Sequence, residues 1–219
     1  MKNLKINWKN HLIELLVVFI GISGAFALNN WNEARQNREL EKKYLTNMYS
    51  EINSDINTLS EIIESTSRDT VHIRRLLKFL ASGESNLDTI LPILNIMSSA
   101  QQFTPRNITY ESIKSSGGLQ ILSNFDLRNL IIENYLEYDK LKIVEEVIFE
   151  FLKFHWMPYS LKQFDIAKGK IVNQKFVREV EFGNMVGGYF SSLNQQLNSY
   201  RAAQNKCAEL KTALEKELN

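Results

Sequence analysis

The chain has 219 residues, enough for one domain with a sizeable core or one domain plus an appendage. Lys and Arg number 26 against 25 Asp and Glu, and a net charge of +1 excludes a bulk field that would recruit nucleic acid or acidic substrates. Hydrophobic residues at 44% and charged residues at 23% exclude a disordered chain, three prolines and nine glycines favour long helices, and a lone cysteine, Cys207, excludes an internal disulfide.

Residues 1–9 read as a short tail and residues 10–31 as a transmembrane anchor. From Leu12 to Leu28 the only strongly polar side chain is Glu14, and Ser23 back-bonds to its own helix. Trp8 and Trp31 are about 23 residues apart, roughly 34 Å at helical rise, which matches a hydrocarbon slab with an indole at each interface. Asn29, Asn30 and Asn32 then lie among headgroups. Two rivals exist. A soluble core helix is one; a cleaved signal is the other, since Lys2, Lys5 and Lys9 form a basic start and Ala25-Phe26-Ala27 a small-x-small site. The helical pattern, however, runs past Ala27 without a turn residue.

Orientation rests on a near tie. Three lysines precede the span, and Arg35, Arg38, Lys42 and Lys43 follow it. The short tail and export-like layout favour a cytoplasmic N-terminus and a periplasmic domain on the bacterial inner membrane. Glu14 is either a hydrated acid near the interface or an intramembrane carboxylate that pairs with a partner or carries protons. Gly21, Gly24 and Ala25 form a small-residue face on which helices approach closely, so a homo-oligomer is one possible outcome.

Residues 32–219 read as a helical bundle. Leu45, Met48, Ile52, Ile56, Leu59, Ile63, Ile73, Leu77 and Leu80, with Thr66 and Thr70, set a seam over about residues 33–81. Asn86 or Ser85 caps a short helix to about Ser99, kinked or started late at Pro92. Another short helix covers about Thr109 to Ser116 and stops at Gly117-Gly118. A long helix follows from about Asp126 to His155, and its "LKIVEEVIFEFLKF" half is apolar on more than one face. "WMPYSLKQFDIAKGKIVNQ" reads as a connection. The last helix carries Phe190, Leu193, Leu197, Tyr200, Cys207, Leu210, Leu214 and Leu218, with Gly183 and Gly187-Gly188 as candidate breaks. The expectation is an all-α, elongated up-down four-helix arrangement.

"IELLVVFIGISGAFALNNWNEARQNRELEKKYL" and "ITYESIKSSGGLQILSNFDLRNLIIENY" resemble an uncharacterised family of Gram-negative single-pass membrane proteins, known only as a domain of unknown function. The resemblance implies a bacterial membrane anchor with a helical domain. It implies no activity, substrate or catalytic residue. A glycine usually precedes the intramembrane acid in that family, and Ile13 stands here instead.

Catalytic constellations are missing from the sequence. His11, His72 and His155 are scattered, no H-E-x-x-H occurs, and the acid pairs Glu133/Glu137 and Glu146/Glu150 lack the Glu-x-x-His partners of a bundle metal site. No G-x-S-x-G or S-x-x-K gives Ser112 or Ser115 a base. Tyr110, Glu111 and Arg128 are expected to form a buried polar clasp, with ligand binding as the alternative. No enzyme, metal, cofactor or nucleic-acid partner is expected. The sequence reads as a membrane-anchored scaffold that binds another membrane or periplasmic protein, with a ligand-binding sensor as runner-up.

Overall fold

A computed structural model describes residues 8–83, 86–165 and 167–219, with side chains described from Leu12 onward. Residues 1–7 of the expected tail and the side chain of Trp8 lie outside the described residues. The fold is all-α. Its elements are α1 (Trp8–Ala81), α2 (Leu87–Leu94), α3 (Ile108–Ser115), α4 (Phe125–Phe151), α5 (Met157–Gln163) and α6 (Val180–Leu218). Short 3-10 turns follow α2 and α3 and precede α6, and a two-residue antiparallel pair, Phe164–Asp165 with Lys170–Ile171, links α5 to α6.

The 74-residue α1 is one helix through the apolar N-terminal stretch and the bundle, about 110 Å at 1.5 Å per residue. Nothing in the sequence stops it before Gly83, which takes a left-handed φ of 75°. Burial begins at Leu45, so residues 32–39 form an exposed stalk between the apolar stretch and the bundle. The buried seam is Leu45, Met48, Ile52, Asp55, Leu59, Ile62, Thr66, Thr70, Ile73 and Leu76. It differs from expectation at three steps: Asp55 for Ile56, Ile62 for Ile63 and Leu76 for Leu77. At Asp55 the true seam passes through an acid, so choosing only apolar residues shifts the face by about 100° there; at Ile62 and Leu76 two apolar neighbours compete and the first of each pair is the buried one.

The chain goes up α1, down the broken α2–α3 leg, up α4–α5 and down α6. Asn86 caps α2, its side chain accepting from Asp88 N at 2.9 Å, and Pro92 is accommodated inside that helix. Gly117 ends α3 with φ 68°, a conformation that costs an L side chain strain. Asn124 caps α4 by accepting from the amides of Asp126 and Leu127, both at 3.1 Å.

Two expectations are corrected near the top of the bundle. Residues 156–174 are not simply a connection: α4 passes through a π turn at Leu152–Trp156 straight into α5, with Pro158 as the second residue of α5. Gly183, Gly187 and Gly188 do not break α6, because that helix is held along its buried face by Phe182, Val186, Tyr189 and Leu193.

Two apolar cores stack along the bundle. The lower joins Leu45–Ile62 of α1 with α3, α4 and the C-terminal half of α6; the upper joins Ile73 and Leu76 with α2, α5 and the N-terminal half of α6. Between them lies a polar waist of Thr66, Thr70, Glu145, Gln196 and Tyr200. Leu210, fully buried in the lower core, should cost about 2–5 kcal/mol when changed to Ala, from lost burial and the cavity left behind. Ile143→Ala, on the exposed side of α4, should stay within about 0.5 kcal/mol. Denaturant unfolding followed by circular dichroism in detergent measures both.

Candidate interaction site

The residues expected to pack in a membrane share one exposed side of α1. Glu14, Gly21, Gly24 and Ala25 are all exposed, and a Cβ added at Gly21 or Gly24 would meet no other atom within 4 Å. Among the described residues, none of the most apolar stretch of α1 is buried. At its end Asn29 Nδ2 donates to Glu33 Oε1 at 2.8 Å, and the Arg35 guanidinium lies 5.8 Å from the centre of the exposed Trp31 ring.

Tyr110, Glu111 and Arg128 are not brought together. Tyr110 stacks on Tyr135 at 3.9 Å between ring centres, Glu111 is exposed, and the Arg128 guanidinium lies over Phe125 at 5.1 Å. Four other carboxylates hold the broken leg instead. Glu145 of α4 accepts from Phe103 N at 2.7 Å and from the Tyr200 hydroxyl at 2.8 Å. Asp55 accepts from Arg106 N at 3.0 Å and from the Tyr138 hydroxyl at 2.8 Å. Glu51 accepts from Thr109 N and its hydroxyl at 3.1 and 2.8 Å, and Glu41 from Ser123 N and its hydroxyl at 2.6 and 2.9 Å. Each gives a backbone N–H a partner that the irregular segment cannot supply itself.

Asp55 heads a buried chain. Its partner Tyr138 also lies 2.9 Å from Cys207 Sγ. Burial pushes the Asp55 carboxyl up to about 6, against the pull of the Arg106 amide and the Tyr138 hydroxyl. Burial likewise pushes the Cys207 thiol up to about 12. The Cys207 thiol therefore keeps its proton at neutral pH, which suits a structural connection and not a nucleophile. Beside them the Asn134 amide and the Tyr135 hydroxyl are buried without a hydrogen-bond partner. Among the described residues no three His, Cys, Asp or Glu side chains come together as a metal site.

The outer face of α4 has a different character. At about 100° per residue, Leu136, Ile143 and Val147 lie on the side opposite the core residues Tyr138, Leu141 and Glu145. All three are exposed, with Ile143 at 65%, and Phe154 continues the line into the π turn. Lys140 and Glu150 interrupt it. Beside Leu136, Lys140 and Ile143, Ala202, Asn205 and Lys206 of α6 form the other wall of a groove of about 610 Å³. Lys206 pins that wall, 2.7 Å from Glu133 and 3.1 Å from Glu209. An exposed seam this long is unusual on a domain with nothing to bind.

Two further clefts lie higher up. One of about 710 Å³ is lined by Asp88, Trp156, Ser160, Phe164, Asp165 and Lys170 at the distal end. Another of about 550 Å³ runs between residues 98–102 and α4, with Lys142, Glu145, Phe149 and Lys153 on its wall. Arg128 lines neither.

The Asp55 geometry has a pH signature. Its folded value near 6 stands above the ordinary unfolded value of about 3.9, so the folded chain holds this proton more tightly. The stabilisation is fully present below about pH 4 and lost as pH rises through about 6. Between pH 4 and 7 the stability of the native chain should therefore fall by about 2–3 kcal/mol relative to Asp55→Asn, measured by denaturant unfolding at each pH. A constant difference across that range would contradict the assignment.

Comparison with known proteins yields one match. No curated protein and no solved structure matches the chain. A family model matches residues 14–192, from Glu14 in the apolar part of α1 to the first third of α6, and so takes in most of the apolar stretch, both middle legs and the start of the returning helix. With most of its length so matched, the chain belongs to DUF6090, a family of unknown function.

Proposed function

We propose that the chain is a single-pass anchor of a Gram-negative inner membrane that holds a non-enzymatic helical scaffold in the periplasm, where it binds another protein. The observation that carries this reading is α4, which is apolar on two opposite faces while the chain covers only one. The apolar stretch of α1, unburied among the described residues, supports the anchor: a helix of that composition is stable where lipid covers it. The exposed stalk supports a domain carried clear of the headgroups. The buried polar groups support a structural role, since each carboxylate is spent on a backbone amide or a hydroxyl.

A second reading, a ligand-binding sensor that signals through a partner, is favoured by the distal cleft with its mixed acidic, basic and aromatic lining. The scaffold reading requires no occupant there.

Labelling tests the placement. Lys216 is exposed on α6, whereas the native Cys207 is buried, so Lys216→Cys introduces a single accessible thiol. A membrane-impermeant maleimide should label it in spheroplasts, and the protein should stay in the membrane after alkaline carbonate washing. Release by the wash contradicts the anchor, and labelling only after lysis reverses the orientation.

The span is tested separately by crosslinking in membranes. Gly21→Leu and Ala25→Leu should lower the assembled fraction several-fold if that face packs on a helix, since such contacts are each worth about 1 kcal/mol. Glu14→Gln keeps size and hydrogen bonding and removes the titratable proton. Lost assembly in this variant marks pairing through the titratable proton, and intact assembly shows that pairing does not need it. Unchanged assembly in all three makes the span a tether alone.

A further inference from the structure

The α4 seam carries enough detail to specify the chemistry of what it binds, on the footing that the chain is an anchored scaffold. The positions Leu136, Lys140, Ile143, Val147, Glu150 and Phe154 follow one another at steps of four and three, the spacing of a helix-pairing seam. Four are apolar and exposed, together offering roughly 400 Å², about half of the ~800 Å² that one side of a standard interface buries. Interfaces are only a little over half apolar, so the flanking polar residues make up the remainder. The groove against α6 gives the seam a second wall from Leu136 to Ile143, which is the shape that receives a helix, and the seam continues beyond it through Val147, Glu150 and Phe154.

Charge decides between occupants. Lys140 and Glu150 stand within the seam, about 15 Å apart along the helix. In a parallel pair of identical copies, a two-fold axis along the seam sets Lys140 on Lys140 and Glu150 on Glu150. That arrangement costs energy in both layers. An antiparallel pair of copies matches every layer: Leu136 with Phe154, Lys140 with Glu150, and Ile143 with Val147. It also points the two α1 helices in opposite directions, so two copies anchored in one bilayer cannot adopt it. Self-pairing through this face fails in one orientation by charge and in the other by the anchor.

We propose that the groove between α4 and α6 receives a helix of a different protein, apolar along its facing side, with an acid at the height of Lys140 and a base at the height of Glu150. The height is set by α1. Asp55 lies level with Tyr138 through their hydrogen bond, and Asp55 is 24 residues beyond Trp31, so the seam starts roughly 36 Å above the end of the span. The partner helix must reach that far from the membrane. Lys140 is held at 3.0 Å by Glu137 in the free chain, a solvent-exposed pair that costs little to exchange for a partner carboxylate.

The test uses the full-length chain in phospholipid nanodiscs and three synthetic helical peptides with a leucine seam. One carries Glu and Lys ten residues apart at the two charge positions; the others carry Glu at both or Lys at both. Fluorescence anisotropy should show the mixed peptide binding about ten-fold or more tightly than either, about 1.4 kcal/mol. Lys140→Glu should move the preference to the all-Lys peptide, and Ile143→Asp should remove binding of all three. Equal binding of the three peptides overturns the proposal. So does a two-copy mass in nanodiscs that Ile143→Asp returns to one copy, because the occupant is then this chain. In cells, a photocrosslinking residue at Ile143 should give one adduct that Lys140→Glu abolishes. Adducts from Val18 in the span but none from Ile143 overturn the groove and leave the scaffold reading standing, whereas none from either position contradicts both.

Discussion

Everything in the bundle depends on carboxylates that act as acceptors for a leg that is not a continuous helix. Residues 99–107 and 122–124 run outside regular helix, so their amides have no i−4 carbonyl to bond. Glu41 and Asp55 reach them from α1 and Glu145 from α4, while Glu51 takes the Thr109 amide in the first turn of α3. Charged acceptors make stronger hydrogen bonds than neutral ones, which fixes the segment against the groove between α1 and α4. With this leg closing the fourth side, three long helices become a four-sided bundle.

The same device sets where the surface is free. The descending leg covers the inner flank of α4 and α6 covers the next, which leaves the outer seam from Leu136 to Phe154 in solvent. A continuous fourth helix could lie along that seam; a short, pinned leg cannot. The polar waist at Thr66, Glu145, Gln196 and Tyr200 joins the two cores through hydrogen bonds, the Gln196 amide donating to Gln101 O at 3.1 Å and the Tyr200 hydroxyl to Glu145 at 2.8 Å. Buried polar layers of this kind fix register at some cost in stability, and Thr66 Oγ1, buried without a partner, is part of that cost.

The long-range architecture was legible because it depends on periodicity and stop signals. Gly83, Asn86, Gly117 and Asn124 end or cap the elements where glycine and asparagine chemistry requires. The two apolar faces of α4 were also visible in "LKIVEEVIFEFLKF". The anchoring acids were not. Asp55 lies in the seam at a step where Ile56 offers an apolar alternative one residue on, and burial of an acid follows only from the amide and hydroxyl it meets far along the chain. Tyr110, Glu111 and Arg128 looked like a clasp because they flank the same break, yet Tyr110 finds an aromatic partner in Tyr135 and Arg128 finds one in Phe125. The helical run through Pro158 was hidden for a different reason: a π turn absorbs the register there, and nothing in residue type announces it.

Hydrogen exchange of individual amides tests the central claim most directly. Phe103 and Arg106 sit in non-helical backbone, where free amides exchange at the rate of an open chain. If Glu145 and Asp55 hold them, both amides should be protected to nearly the level of core amides in α4 such as Tyr138 and Leu141. Exchange of Phe103 and Arg106 at the unprotected rate, with α4 still protected, would contradict the account.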